Sequence, residues 1–174
     1  MHCNINQYKG ETGLGDFSEE EYREVIVVAI HMMNLDEMFF ERNGAIEKEK
    51  YRFLLADCMD ILQGTSGLLD IVMSNNSVYA IYNVRAERHC VQHAAASVNR
   101  LFEKTVTFGG EDRCPLVYGI GIAIGIAISL RIHEKNGEIS RFWLGNVLRR
   151  AEAMAQRSIC DGRKQIFLAE YECN

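Results

Sequence analysis

"LDIVMSNNSVYAIYNV", Leu69 to Val84, holds two runs of apolar and β-branched residues separated by Ser74-Asn75-Asn76-Ser77. Valine, isoleucine and tyrosine suit a pleated, half-buried surface, and asparagine tolerates the positive φ of a tight turn. The stretch therefore predicts a hairpin over Leu69–Tyr82 with Asn75 and Asn76 at its tip. An isolated hairpin is marginal in water, so it needs a larger sheet or a helix to cover it.

Upstream, the run "EVIVVAIHM" from Glu24 is apolar and β-branched without alternation, as expected of a strand buried on both faces and central in its sheet. Between that strand and the hairpin, "EKEKYRFLLADCMDILQ" places Tyr51, Leu54, Leu55, Cys58, Ile61 and Leu62 at three- and four-residue spacing, which makes one apolar stripe on a helix ended by Gly64. After the hairpin, "ERHCVQHAAASVNRLFEK" repeats the pattern through Val91, Ala94, Ala95, Val98, Leu101 and Phe102. A loop with the only proline, "TFGGEDRCP", leads into Leu116–Ile132, long enough for two strands bending near Gly125. "HEKNGEIS" reads as a polar link, "WLGNVLRRAEAMAQRS" as a third amphipathic helix and "KQIFLAEYE" as a closing strand. The order is β-α-β-β-α-β with an αβ extension. It predicts an α+β fold with a ferredoxin-like, palm-type sheet and helices packed on one face. Residues 1–20 are polar and aperiodic and read as a loosely attached arm capping a sheet edge, leaving 21–174 as one domain.

A net charge of −5 provides no field that would draw the chain to nucleic acid or an anionic membrane, and neither a basic stripe nor a nucleic-acid module is present. Cysteines 3, 58, 90, 114, 160 and 173 form no CxxC pair, and several sit in apolar periodic segments, so free thiols in a reducing, cytoplasmic compartment are expected. No apolar run follows a basic start, so no signal peptide is expected. "PLVYGIGIAIGIAISL" is too short and too β-branched for a good membrane span and reads as buried sheet.

Taken together, the element order and four stretches resemble the class III nucleotidyl cyclase catalytic domain, and more loosely the bacterial pyrimidine cyclases of antiphage defence. "EVIVVAIHMMNL" is similar to the family's first strand and its turn, "DIVMSNNSVYAIYN" to its hairpin, "LVYGIGIAIGIA" to its glycine-bearing strand and "FWLGNVLRRAEAMA" to its last helix. The resemblance covers Glu24 to Glu170. The glycine run does not open a helix, so it is no dinucleotide fingerprint, and the signature of GGDEF-type sheets is absent from the hairpin. The resemblance implies a homodimer that binds a nucleoside triphosphate at its interface, each protomer supplying part of the site. It also implies two Mg²⁺ or Mn²⁺ ions between carboxylates at the end of the first strand and at the hairpin tip.

At those two places stand His31 and Asn76, and sliding the alignment by one residue brings Ile30 or Asn75 instead. No carboxylate is restored either way. Asparagine removes a full charge from a site where Coulomb attraction dominates, and histidine favours softer ions than Mg²⁺. Aligned through Gly145, Arg149 falls where the family keeps a ribose-orienting asparagine, and Ala153 where it keeps a transition-state arginine. A second register instead matches Asn146 and Arg150, four apart on one helix face, so Asn146, Arg149 and Arg150 are the catalytic candidates. The expectation is a cyclase homologue with a degenerate metal site and a regulatory or nucleotide-sensing role. The alternatives are a working pyrimidine nucleotide cyclase with unusual ligands, in antiphage signalling, and a non-catalytic dimerisation module.

Each candidate also has a plainer reading. His31 is then a strand-end histidine with a hydrogen-bonded ring, and Asn75-Asn76 a two-residue turn. His89 and His93, in "HCVQH", are half of a metal site by spacing, but the HExxH glutamate is missing and no cysteine or carboxylate is tied to them by a metal-site spacing, which favours a solvated helix face. Asp36 and Glu37 stand close enough after the first strand to serve as substitute carboxylates, or begin a helix. Arg149, Arg150 and Arg157 suit phosphate, or an exposed helix end.

Overall fold

Val25 to Ile30 are buried without a break because their strand runs down the middle of the sheet. The structure, a computed structural model, describes residues 17–33, 44–74, 76–107, 116–133, 137–160 and 167–168. In chain order the elements are β1 (Phe17–Met32), α1 (Gly44–Gln63), β2 (Leu68–Ser74), β3 (Ser77–Asn83), α2 (Arg88–Thr107), β4 (Tyr118–His133), β5 (Ile139–Leu144), α3 (Asn146–Cys160) and the short β6 (Phe167–Leu168). The sheet runs β2-β3-β1-β4-β5, with β6 joining β4 in parallel. All other pairings are antiparallel. The expected α+β palm-type sheet is what the chain forms.

Several details differ from expectation. β1 begins at Phe17, inside the segment read as an arm, whose first sixteen residues lie outside the described part. Leu116–Ile132 is not two strands bent at Gly125, because β4 pairs with β1 from Tyr118 to Ile132 without interruption on the β4 side. The strand after it is "ISRFWL", which the sequence reading had divided between a polar link and a helix. Gly145, at φ 151°, turns the chain from β5 into α3, a conformation a side chain would strain.

The helices lie on both faces of the sheet rather than on the one face that the sequence pattern predicts, because β1 buries apolar side chains on both of its sides. The even-numbered residues Ile26, Val28 and Ile30 of β1 pack with Leu54, Cys58 and Leu62 of α1 and with Val91, Ala95, Val98 and Phe102 of α2. Tyr118 anchors α2 to β4, meeting Phe102 edge-on at 4.8 Å and donating its hydroxyl proton to Asn99 Oδ1 at 3.0 Å. The odd-numbered Val25, Val27 and Ala29 pack with Val147, Ala151 and Ala155 of α3. The β4 glycines explain how α3 fits there: a Cβ on Gly119 would lie 2.0 Å from the Ala155 carbonyl oxygen, and one on Gly121 2.2 Å from that of Ala151. These glycines admit a helix backbone rather than a bend.

The sheet is also strongly curled. Four inter-strand steps of about 4.8 Å would hold the edges β2 and β5 roughly 19 Å apart if it were flat. Instead Trp143 Nε1 of β5 donates to Asp70 Oδ2 of β2 at 2.8 Å, and Arg141 reaches the Leu69 carbonyl at 3.5 Å. Among the described residues no helix is long and apolar enough to cross a membrane.

Candidate functional site

The register of β1 against β3 sets His31 directly opposite Ser77, and its register against β4 sets His31 opposite Gly119. Ser74 pairs with Ser77, which closes the hairpin between β2 and β3. Asn75 itself lies outside the described residues. The backbone carbonyl of Asn76 accepts from the amide of Met32 at 2.7 Å, which ties the hairpin tip to the end of β1. His31 and Asn76 are thus brought to one end of the sheet.

A residue that sequence reasoning missed completes this end. Glu152, on α3, accepts a hydrogen bond from Ser77 Oγ at 3.0 Å, and the same hydroxyl lies 2.9 Å from His31 Nδ1. The direct distance from His31 Nδ1 to Glu152 Oε1 is 3.8 Å. Serine has one proton to give, and an ionised carboxylate can only accept. With the Ser77 proton directed at Glu152, the Ser77 oxygen accepts from His31, which calls for the tautomer that carries a proton on Nδ1. Ser77 is buried, and the His31 and Glu152 side chains are 17% and 31% exposed, so solvent reaches the two ends of this chain of bonds but not its middle. Tyr79, two residues along β3, borders the same group. Burial first and hydrogen bonding to Glu152 second hold its phenol above the usual tyrosine range.

The remaining candidates sit elsewhere on α3. Asn146 opens the helix and is exposed, Arg149 is exposed and Arg150 half-buried. At about 1.5 Å per residue, Asn146 stands roughly 9 Å up the helix axis from Glu152. Val147 packs near Gly125 and Ala155 near Gly119, so α3 runs antiparallel to β4 and brings its C-terminal half to the His31 end. Ala153 and Arg157 are exposed, His89 and His93 are exposed on α2, and Asp36 and Glu37 lie outside the described residues. No local signal in the sequence ties Glu152 to His31, since a contact across 75 residues between Ser77 and Glu152 depends on the helix crossing the sheet.

No protein-family model matches the sequence, and no curated protein matches it well enough to count as a relative. Solved structures do match. A bacterial light-regulated adenylyl cyclase superposes with a TM-score of 0.64 at 14% identity, over 81% of this chain and 41% of that one. A dimeric guanylyl cyclase domain of the RhoGC fusion protein from the aquatic fungus Blastocladiella emersonii gives 0.61 at 12% identity, over 88% of this chain and 82% of that one. A class III adenylyl cyclase-like ATP-binding protein from Pseudomonas aeruginosa gives 0.59 at 17% identity, over 93% of this chain and 37% of that one. The chain thus spans well under half the length of two of these three proteins. It has the class III nucleotidyl cyclase fold. At such identities the likeness is one of fold.

Proposed function

We propose that this protein is a cyclase homologue that binds a nucleoside triphosphate between two copies of itself without cyclising it, in a regulatory or nucleotide-sensing role. The observation that carries this reading is the hydrogen-bonded chain His31–Ser77–Glu152 at the end of β1 and the hairpin. By the family resemblance, this is where carboxylates would hold Mg²⁺ or Mn²⁺. Hard divalent ions bound to triphosphate take anionic oxygen ligands. Here β1 offers an imidazole, the turn offers a neutral amide, and Glu152 already accepts from Ser77. That donor set does not fit a pair of Mg²⁺ or Mn²⁺ ions.

What the chain's own residues retain is the capacity to hold phosphate and to pair. Arg149 is an exposed guanidinium on α3, suited to bidentate contact with phosphate oxygens. Asn146 and Arg149 lie up the helix from Glu152, so a ligand spanning both groups is better served by two protomers than by one. The dimeric fungal domain and the ATP-binding bacterial protein, each so described, supply precedents for the two halves of the proposal on this fold. One observation favours a second reading, a working cyclase with unusual ligands: Glu152 brings a carboxylate within 3.8 Å of His31.

The test is incubation of the protein with ATP, GTP, CTP or UTP and Mg²⁺ or Mn²⁺, with products read by mass spectrometry and binding by calorimetry. The expected result is triphosphate binding without cyclic product. Replacing His31→Asp and Asn76→Asp together should strengthen Mn²⁺-dependent triphosphate binding. Metal-dependent turnover by the unaltered chain would sink the degenerate reading in favour of the working enzyme. No gain from the double substitution would show that the end of β1 and the hairpin are not the triphosphate site.

A further inference from the structure

Glu87 is the residue just before α2, and its backbone carbonyl accepts from the amides of Cys90 at 2.8 Å and Val91 at 3.3 Å, which makes it the cap of the helix. Its side chain turns toward the first turn of that helix. His89 Nε2 lies 3.1 Å from Glu87 Oε2, and the Cys90 thiol donates to the same oxygen at 3.5 Å. One carboxylate oxygen, one imidazole nitrogen and one thiol sulfur thus lie within 4.8 Å of one another. Tetrahedral zinc with bonds of about 2.0–2.3 Å holds its ligands roughly 3.3–3.8 Å apart. Only a small side-chain movement separates the two arrangements.

His93 stands one turn further on, outside the group of three that lies within 4.8 Å, and a side-chain rotation would be needed to bring it in as a fourth ligand. At about 100° per residue, His89, Cys90 and His93 share an arc of roughly 100° with His93 in the middle of it, and positions three and four apart are surface neighbours on a helix. Glu87, His89 and His93 are exposed and Cys90 is half-buried, whereas Val91, Ala94 and Ala95 face the interior. The ligand side chains can therefore adjust without disturbing the core.

We infer that Glu87, His89, Cys90 and His93 form a surface site for Zn²⁺. Mixed nitrogen, sulfur and oxygen donors suit this borderline-soft ion, whereas Mg²⁺ and Ca²⁺ take oxygen sets. Cys90 binds as thiolate, its proton passing to the buffer. The bound ion pins the cap residue to the first two turns of α2. The site adjoins the Asn83 end of β3, about 20 Å from the Ser77 end, and is independent of the triphosphate reading.

The experiment uses the full chain, freed of metal by chelator, kept reduced and titrated with zinc chloride in a calorimeter, with Co²⁺ as the spectroscopic substitute. One equivalent of zinc should bind, and Mg²⁺ in excess should not compete. The Co²⁺ form should show a thiolate-to-metal charge-transfer band that is lost in Cys90→Ser. His89→Ala and His93→Ala should each weaken zinc by about tenfold or more. Circular dichroism of the metal-free variants should match the parent, since the altered side chains lie outside the core. Absence of zinc binding, a charge-transfer band that persists in Cys90→Ser, or unchanged affinity in either histidine variant overturns the site.

Discussion

Cys58, Tyr82 and Tyr118 each keep an ionisable proton among the apolar residues beneath α1 and α2. Burial pushes the Cys58 thiol up from 9.0 to about 12 and the Tyr82 phenol up from 10.0 to about 12, and it raises Tyr118 further still. All three are neutral when protonated, so their folded-state pKa values lie above the unfolded ones. The unfolded chain then releases its protons first as pH rises. The stability these groups contribute is fully present below about pH 9 and is lost as pH climbs toward 12. Between a group's unfolded and folded values each pH unit costs about 1.4 kcal/mol for the fully buried Cys58 and Tyr82, and less for the half-buried Tyr118, where solvent screens the charge. Urea midpoints measured from pH 8 to 11 should fall with increasing slope, and Cys58→Ala should flatten the first part of that fall. A midpoint constant to pH 11 would show that these sites open to water. The sequence made Cys58 legible as a core residue because it falls on an apolar helical stripe. It could not make Glu152 legible, because that residue's role depends on where a distant helix lands.

At the scale of elements, the seam between β4 and α3 depends on the absence of side chains. A Cβ on Gly121 would meet the Ala151 carbonyl oxygen at 2.2 Å and the Ala155 amide nitrogen at 2.5 Å, and backbone of this kind cannot swing aside as a side-chain tip can. Gly121→Ala should therefore lift α3 from the sheet and cost about 1–3 kcal/mol, in the range of overpacked cores. Ala153→Ser, exposed on the same helix, should stay within about 0.5 kcal/mol of the parent. Denaturant midpoints at constant slope check both, and equal midpoints would remove the close-approach account. Periodicity revealed α1 and α2, and unbroken apolar, β-branched runs revealed the second half of β1 and the hairpin. It failed at "ISRFWL", where Ile139, Phe142 and Leu144 are exposed and only Trp143 is buried, so the apolar residues do not mark a core face. It also could not say that α3 crosses to the other side of the sheet, since small residues on a helix and glycines on a strand reveal their fit only when the two are placed together.

For the whole molecule, the sheet extends past its helices and leaves an apolar row uncovered. Ile128 of β4 is flanked across the strands by Tyr22 of β1 and Leu144 of β5, and Leu130 is paired with Phe142. Tyr22, Ile126, Phe142 and Leu144 are each at least half exposed. Contiguous apolar surface of this kind marks an interaction site more often than a free surface. Fully burying such a side chain contributes about 1.5–3 kcal/mol, so covering the remaining half of four from each of two copies gives roughly 8 kcal/mol. Association costs about 4–15 kcal/mol before any surplus appears, so this row alone would give at best a weak dimer, and the polar groups around it must add to the affinity. Sedimentation velocity should nevertheless find a dimer at micromolar concentration. Leu144→Asp should shift it to monomer, because each protomer then buries an unpaired charge in the interface. The circular dichroism of that variant should not change, as the side chain faces solvent in the single chain. A parent protein that stays monomeric at these concentrations, with nucleotide present or absent, would remove the shared site on which triphosphate binding between two copies depends. A dimer unaffected by Leu144→Asp would keep the pairing but move it to another face of the sheet.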